Sequence, residues 1–183
     1  MDNSGRKPIV VEIDGLSVIE ERGLLAASLR YFDAADRFVA ALRENAGRPL
    51  PEPLRAVQVG LATSAAHYIL AWRSPTETLL LTKDPAAFAE LELRLAAEVD
   101  GCMVDQTGGL SAFRVRGSKA RDLLLRLGAV TSIPGLGEAR SGRLAELQVM
   151  TVCVQAGEFL LLVERSYANH LLEWIGATAA DFH

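Results

Sequence analysis

The chain has 183 residues, 19 Lys+Arg against 23 Asp+Glu, a formal net charge of -4 and a pI near 5.4. That length suits one large domain or two small halves, burying roughly 70% of the unfolded surface without needing a disulfide. There is no basic excess for a nucleic-acid backbone, and the longest apolar runs, such as residues 159–163 between Glu158 and Glu164, are far shorter than the roughly 18 residues of a membrane span.

Residues 1–22 read as an N-terminal arm: a polar tip at 1–8, one short strand at 9–13 and an Asp14-Gly15 turn. The tip has no apolar leader core, so a cytoplasmic location is expected. Residues 23–31 form a strand or a helical turn, because a short apolar run does not distinguish them. Asp33 is placed to cap a helix with a Phe38, Val39, Leu42 stripe that stops at 45–47. Pro49, Pro51 and Pro53 mark a loop. Runs at 68–72 and 78–82 are rich in strand formers and flank turn residues at 73–76, which predicts a hairpin. Asp84-Pro85 then opens a helix striped by Phe88, Leu91, Leu95 and Val99, followed by a short strand at 102–105.

From there the pattern begins again. Residues 110–116 alternate, with Leu110, Ala112, Arg114 and Arg116 on one side and Ser111, Phe113 and Val115 on the other. Ser118 is placed to cap a helix bearing Leu123, Leu124 and Leu127. A loop at 131–142 leads to strands at 144–154 and 158–164. Ser166 is placed to cap a last helix with Ala168, Leu171, Leu172 and Ile175 on its buried face. This order predicts an α+β fold of two ferredoxin-like split βαβ halves, residues 23–106 and 107–183, in one compact unit with the 1–22 arm.

Residues able to do chemistry are few. His67, His170 and His183 lie in no nucleophile elbow, and a structural or solvent role is expected for each. Cys102 and Cys153 sit among strand formers, where cysteine behaves as a small buried hydrophobe. They cluster with no histidine at metal-ligand spacing. Gly108-Gly109 and Gly135-Leu136-Gly137 continue into no phosphate-binding fingerprint, so turn chemistry is expected. Asp100 and Asp105 flank one strand, and Asp105 suits an Asx bond at the Thr107-Gly108-Gly109 turn better than a general base. Arg114, Arg116, Lys119, Arg121 and Arg126 form the one cationic cluster: a solvated face, or a surface for an acidic partner or anionic ligand. No catalytic, cofactor-binding or metal-binding residue is assigned.

Two stretches carry a family resemblance. In the first, Asp105 ends a strand, an alternating strand follows, and Gly117-x-x-Ala120-Arg121-x-x-Leu124 opens a helix; in the second, residues 158–168 lead into Leu172-Glu173-Trp174. Over about residues 66–182 the chain resembles the gamma subunit of heterotetrameric sarcosine oxidase, within the wider aminomethyltransferase-like superfamily. The family's usual Trp-x-Gly-Pro-x-Glu-Trp hairpin is here Trp72-Arg73-Ser74-Pro75-Thr76-Glu77-Thr78, a departure that leaves sarcosine or a related N-methyl amino acid as the complex's substrate. Folate-using aminomethyltransferases carry a Gly-Gly-x-x-Asp-Asp turn, whereas residues 147–154 here hold no carboxylate, which disfavours folate chemistry.

The resemblance implies a non-catalytic accessory subunit that packs against the large alpha-type subunit, alongside beta- and delta-type partners, of an oxidative demethylase. FAD, FMN, NAD and tetrahydrofolate would belong to those partner subunits, and no dinucleotide fingerprint contradicts this. Neither a nucleic acid nor a membrane is expected as a partner. The alternatives are a free-standing folate or anion binder using the Arg114 and Arg116 face, and an interaction domain of an unrelated complex. A hydrophobic content of 50% and a mean hydropathy of +0.18 are high for a lone domain, so an exposed apolar patch with no catalytic pocket beside it is expected.

Overall fold

The computed structural model describes residues 10–33, 35–60 and 67–182; the tip at 1–8, the first residue of the expected 9–13 strand and His183 lie outside the described residues. The first sheet is built from β3 (Leu25–Tyr31), β4 (Ala56–Gly60), β5 (His67–Ser74), β6 (Glu77–Thr82) and β7 (Gly101–Asp105), in the order β4-β5-β6-β3-β7. Helices α1 (Arg37–Ala46) and α2 (Pro85–Leu95) cover one face. The order β7-β3-β6-β5 is that of a split βαβ unit, with β4 added at one edge.

The second sheet repeats this plan. It contains β1 (Val10–Ile13), β2 (Leu16–Glu20), β8 (Leu110–Arg116), β9 (Ala139–Leu144), β10 (Leu147–Gln155) and β11 (Glu158–Glu164), in the order β1-β2-β8-β11-β10-β9. Helices α3 (Ala120–Leu127) and α4 (Ala168–Ala179) cover its outer face. The strand beside β8, which in the first sheet follows the second helix, is supplied here by β2 of the arm. The arm therefore carries two strands rather than the single one expected, and Leu16 and Val18 enter the core of α3 and α4.

The remaining faces stack on each other. Ala26, Ala71, Leu79 and Leu81 of the first sheet meet Ala112, Met150, Val152, Leu160 and Leu162 of the second. With both sheets covered on both sides, four layers result: helices, sheet, sheet, helices. That burial explains β3, whose Ala26 and Ser28 point one way and Ala27 and Leu29 the other, all 3% exposed or less. A strand buried on both faces shows no alternation, so its apolar run left strand and helix undecided.

Four terminal details differ from expectation. Asp33 does not cap α1; it accepts from Ala35 N, and the first amides of α1, Arg37 N and Phe38 N, donate to Asp100 from across the sheet at 2.9 and 3.0 Å. Helix α2 ends at Leu95, so Val99 lies beyond it and is exposed rather than the last residue of the stripe. Neither Ser118 nor Ser166 caps a helix: Lys119 N donates to Gly15 O of the arm turn before α3, and a 3-10 turn, Arg165–Tyr167, precedes α4. The strand expected at 144–154 begins only at Leu147, as β10, and the end of the loop expected at 131–142 belongs to a further strand, β9; the two reverse at Ala145 and Glu146, both at positive φ.

Candidate functional site

The expected cationic cluster is consumed by internal partners. Arg114 on β8 forms ion pairs with Glu21, just after β2, and with Glu158 at the start of β11. Arg116 reaches Glu158 at 3.0 Å, because the two arginines share a face of β8 and Glu158 sits opposite Arg116 in register. Lys83, just past β6 of the first sheet, pairs with Glu21. Glu21 thus ties the arm to both sheets. Burial by itself would raise Glu21, but hydrogen bonds from Arg114 and Lys83 outweigh it and hold the carboxyl below its ordinary range. Burial opposes the charged form of Arg114, and its two carboxylates reverse that and raise it.

The other members are engaged as well. Arg121 donates to Pro134 O at 3.2 Å, Lys119 Nζ to Phe182 O at 3.4 Å, and the Arg126 guanidinium stacks 4.1 Å from the centroid of the Phe182 ring. Arg116, Arg121 and Arg126 keep the exposure of the expected solvated face, yet each also holds an internal partner, and together the set clamps the arm, the C-terminal segment and the loop before β9 onto the second sheet.

A cleft of about 280 Å³ opens where the β2–β3 link, the β7–β8 turn and the start of α4 converge. Its polar lining includes Glu20, Arg22, Thr107, Ser111, Arg165 and Asn169. Arg165 donates to Thr107 O and Leu110 O, Thr107 Oγ1 accepts from Ala26 N, and Arg22 lies 3.5 Å from Glu20. These bonds hold the turn between the two halves. Among the described residues no three His, Cys, Asp or Glu side chains converge as metal ligands.

The single candidates separate widely. His67 begins β5 and is exposed, with its carbonyl accepting from Thr82 Oγ1; His170 is exposed on α4, 6.4 Å from the Trp174 ring. Cys153 is buried, its thiol pushed up by burial and donating to Gln155 O, which leaves it a poor nucleophile. Cys102 is exposed on β7, contrary to the expected buried hydrophobe, because among the described residues no strand lies beyond β7. Asp105 makes the expected Asx bond to Thr107 N at 2.7 Å. Gly108-Gly109 lies in that turn, and Gly135 N donates to Glu138, whose carboxyl is lowered by this bond and by Arg140.

Residues not foreseen are Glu21, Lys83, Phe32 and Tyr68, the last with its hydroxyl on Ala87 O and its pKa pushed up to about 12 by burial and nearby carboxylates. No motif marks them. Glu21 in particular is one acidic residue among several, distinguished only by pairing 93 positions away.

The positions of the first motif have structural tasks. A Cβ on Gly117, at φ +119°, would lie 2.2 Å from Gly15 O, so only glycine lets the arm turn close against β8. Ala120 and Leu124 are fully buried on the inner face of α3, and Arg121 holds the loop carbonyl of Pro134.

Residues 31–181 match the model of the sarcosine oxidase, gamma subunit family. A chain of heterotetrameric sarcosine oxidase from Corynebacterium sp. U-96, solved in complex with pyrrole 2-carboxylate, superposes with a TM-score of 0.79 at 21% identity, covering 94% of this chain and 88% of that one. The glycine cleavage system aminomethyltransferase T from Bartonella henselae superposes at 0.68 with 15% identity, covering 88% of this chain but 45% of the other. At these identities the two structures share the fold. No curated protein sequence matches the chain.

Proposed function

The chain belongs to the sarcosine oxidase gamma subunit family, and from that membership we propose that it is the non-catalytic small subunit of a sarcosine-oxidase-like complex. In this reading the complex oxidatively demethylates sarcosine or a related N-methyl amino acid, and this chain packs against its large subunit in the cytoplasm. Flavins, nicotinamide dinucleotide and tetrahydrofolate are held by the partners. The observation that carries the reading is the use made of the candidate chemistry: Arg114, Arg116 and Arg121, with Gly117 and Asp105, are all taken up by bonds or close contacts within the fold. A free-standing anion binder would need Arg114 and Arg116 unpaired, whereas Arg114 is paired with Glu21 and Glu158 and Arg116 with Glu158.

Co-expression with the genes that neighbour its own is the test. A stable complex that carries flavin and includes this chain is expected. Recovery of the chain as a monomer that binds no larger subunit overturns the reading, and saturable heat on titration with tetrahydrofolate would favour the anion binder instead.

A further inference from the structure

The two sheets treat equivalent edges differently. In the second sheet the strand beside β8 is β2, and β2 is itself covered by β1, whose Val11 and Ile13 pack onto the core. In the first sheet the equivalent strand is β7, and its only strand neighbour among the described residues is β3. The open side can be located. Gln106 N donates to Ala26 O, and antiparallel alternation then turns the ladder groups of Cys102 and Val104 toward β3. The backbone N–H and C=O of Gly101, Met103 and Asp105 are left pointing outward.

Little in β7 protects that edge beyond its shortness and the one charge at its end, Asp105. Its sequence, Gly-Cys-Met-Val-Asp, has no proline, no lysine and no bulge, the devices by which proteins blunt an exposed strand. Beside it lie the two most exposed large apolar side chains of the described residues, Phe32 at 84% and Val99 at 92%. With Cys102 and Arg30 they border a shallow, mainly apolar cavity of about 600 Å³. By contrast, β4 at the other end of this sheet is stapled by Ala56 N to Gly137 O and by Gln58 to Val154 O.

We infer that β7 is an assembly edge that accepts one extended strand of the large partner subunit, which pairs with Gly101, Met103 and Asp105 and seats an apolar side chain between Phe32 and Val99. The chemistry of the occupant is read from β1, the internal strand that fills the equivalent place with Val-Val-Glu-Ile. The charge beside the cavity fits an acidic residue in that strand: Arg30 and Arg73 share the single carboxylate of Glu77. This inference rests on the proposed membership in a complex and names the surface through which it is made.

Amide hydrogen exchange on the isolated chain and on the co-expressed complex tests it. Protection of Gly101, Met103 and Asp105 by at least about tenfold on assembly is expected, with loss of maleimide labelling at Cys102. The exposed-site variant Phe32→Asp/Val99→Asp, with an unchanged circular dichroism spectrum, should fail to co-purify with the large subunit. A complex that forms with β7 unprotected, or that tolerates the double variant, overturns the inference and leaves the function reading standing. A chain that joins no complex overturns both. Protection that develops instead on self-association of the isolated chain assigns the edge to a second copy and overturns the inference alone.

Discussion

The first and second sheets carry the same core strands in the same order, yet one completes its unit with its own following strand, β7, and the other with β2 from the arm. Continuity therefore decides how each half can fail. The first half closes through a contiguous run from β3 to β7. The second half depends on residues more than ninety positions upstream, joined through Glu21 and Gly15. An N-terminal segment that looks dispensable in sequence is part of the core.

Deleting residues 1–20 breaks this comparison most sharply. It strips Leu16 and Val18, and with them Val11 and Ile13, from the face of the second sheet under α3 and α4. At roughly 1.5–3 kcal/mol for each buried side chain, the loss rivals the whole stability of a domain, about 5–15 kcal/mol. The truncated chain should lose its near-ultraviolet dichroism and cooperative urea transition. A truncated chain that still unfolds cooperatively would show the second half to be self-sufficient.

Arg114→Met should rank next, at about 3 kcal/mol, because it leaves Glu21 and Glu158 facing each other in a mostly buried seam without their shared cation. The urea midpoint reads this directly. The glycines compare the two seams themselves. Gly117→Ala drives a Cβ to 2.2 Å from a backbone oxygen of the arm at φ +119°, whereas Gly101→Ala meets the Phe38 ring at 2.4 Å and Arg30 O at 2.7 Å. Both should cost about 1–3 kcal/mol, with Gly117→Ala the larger because it adds backbone strain.

Acid sharpens the same seam. Glu21 is held below its ordinary value, so its contribution is complete above the unfolded carboxyl's pKa of about 4.3 and is lost as pH falls through the lower folded value. Asp100, lowered by the amides of Arg37 and Phe38, follows the same sign in the first half. Urea midpoints should be flat near neutrality and fall below about pH 4. Glu21→Gln should lower the neutral midpoint and flatten part of that fall, and an unchanged slope would exclude Glu21 as its source.

How much of this was legible depends on the range of the interaction. Elements set by local periodicity were readable: the Phe88, Leu91, Leu95 stripe of α2, the alternation of β8 and the Leu171, Leu172, Ile175 face of α4 all lie where their spacing puts them. The α+β class and doubled ferredoxin-like order followed from those elements. Features set by distant partners were not. Asp100 caps a helix 63 positions earlier, Gly15 O meets the start of α3, and the partners of Arg114 come from β11 and from the link after β2. A basic cluster read along one strand therefore looked unpaired. Exposure of Cys102 was hidden for the same reason, since only sheet order reveals that β7 is an edge.

The smallest effect compares the strand pairs β4–β5 and β9–β10, which occupy matching edges of the two sheets. In the first sheet β4 ends at Gly60 and β5 begins at His67, while the second pair reverses through Ala145 and Glu146 alone, at φ +50° and +63°. Two-residue hairpins with both φ values positive favour Asn-Gly, and neither residue here is of that kind. Ala145 is buried against the second core, so its side chain is fixed by packing, and Glu146 is exposed. The strain is therefore removable at Glu146 only. Glu146→Gly should raise stability by about 0.5–1 kcal/mol, the relief of a left-handed conformation less the extra freedom of glycine in the unfolded chain. The surface pair of Glu146 with Arg143, 3.2 Å apart and highly exposed, contributes little against that gain. An increase in the urea midpoint checks it; a decrease would mean that this pair, rather than turn strain, governs how the β9–β10 hairpin closes.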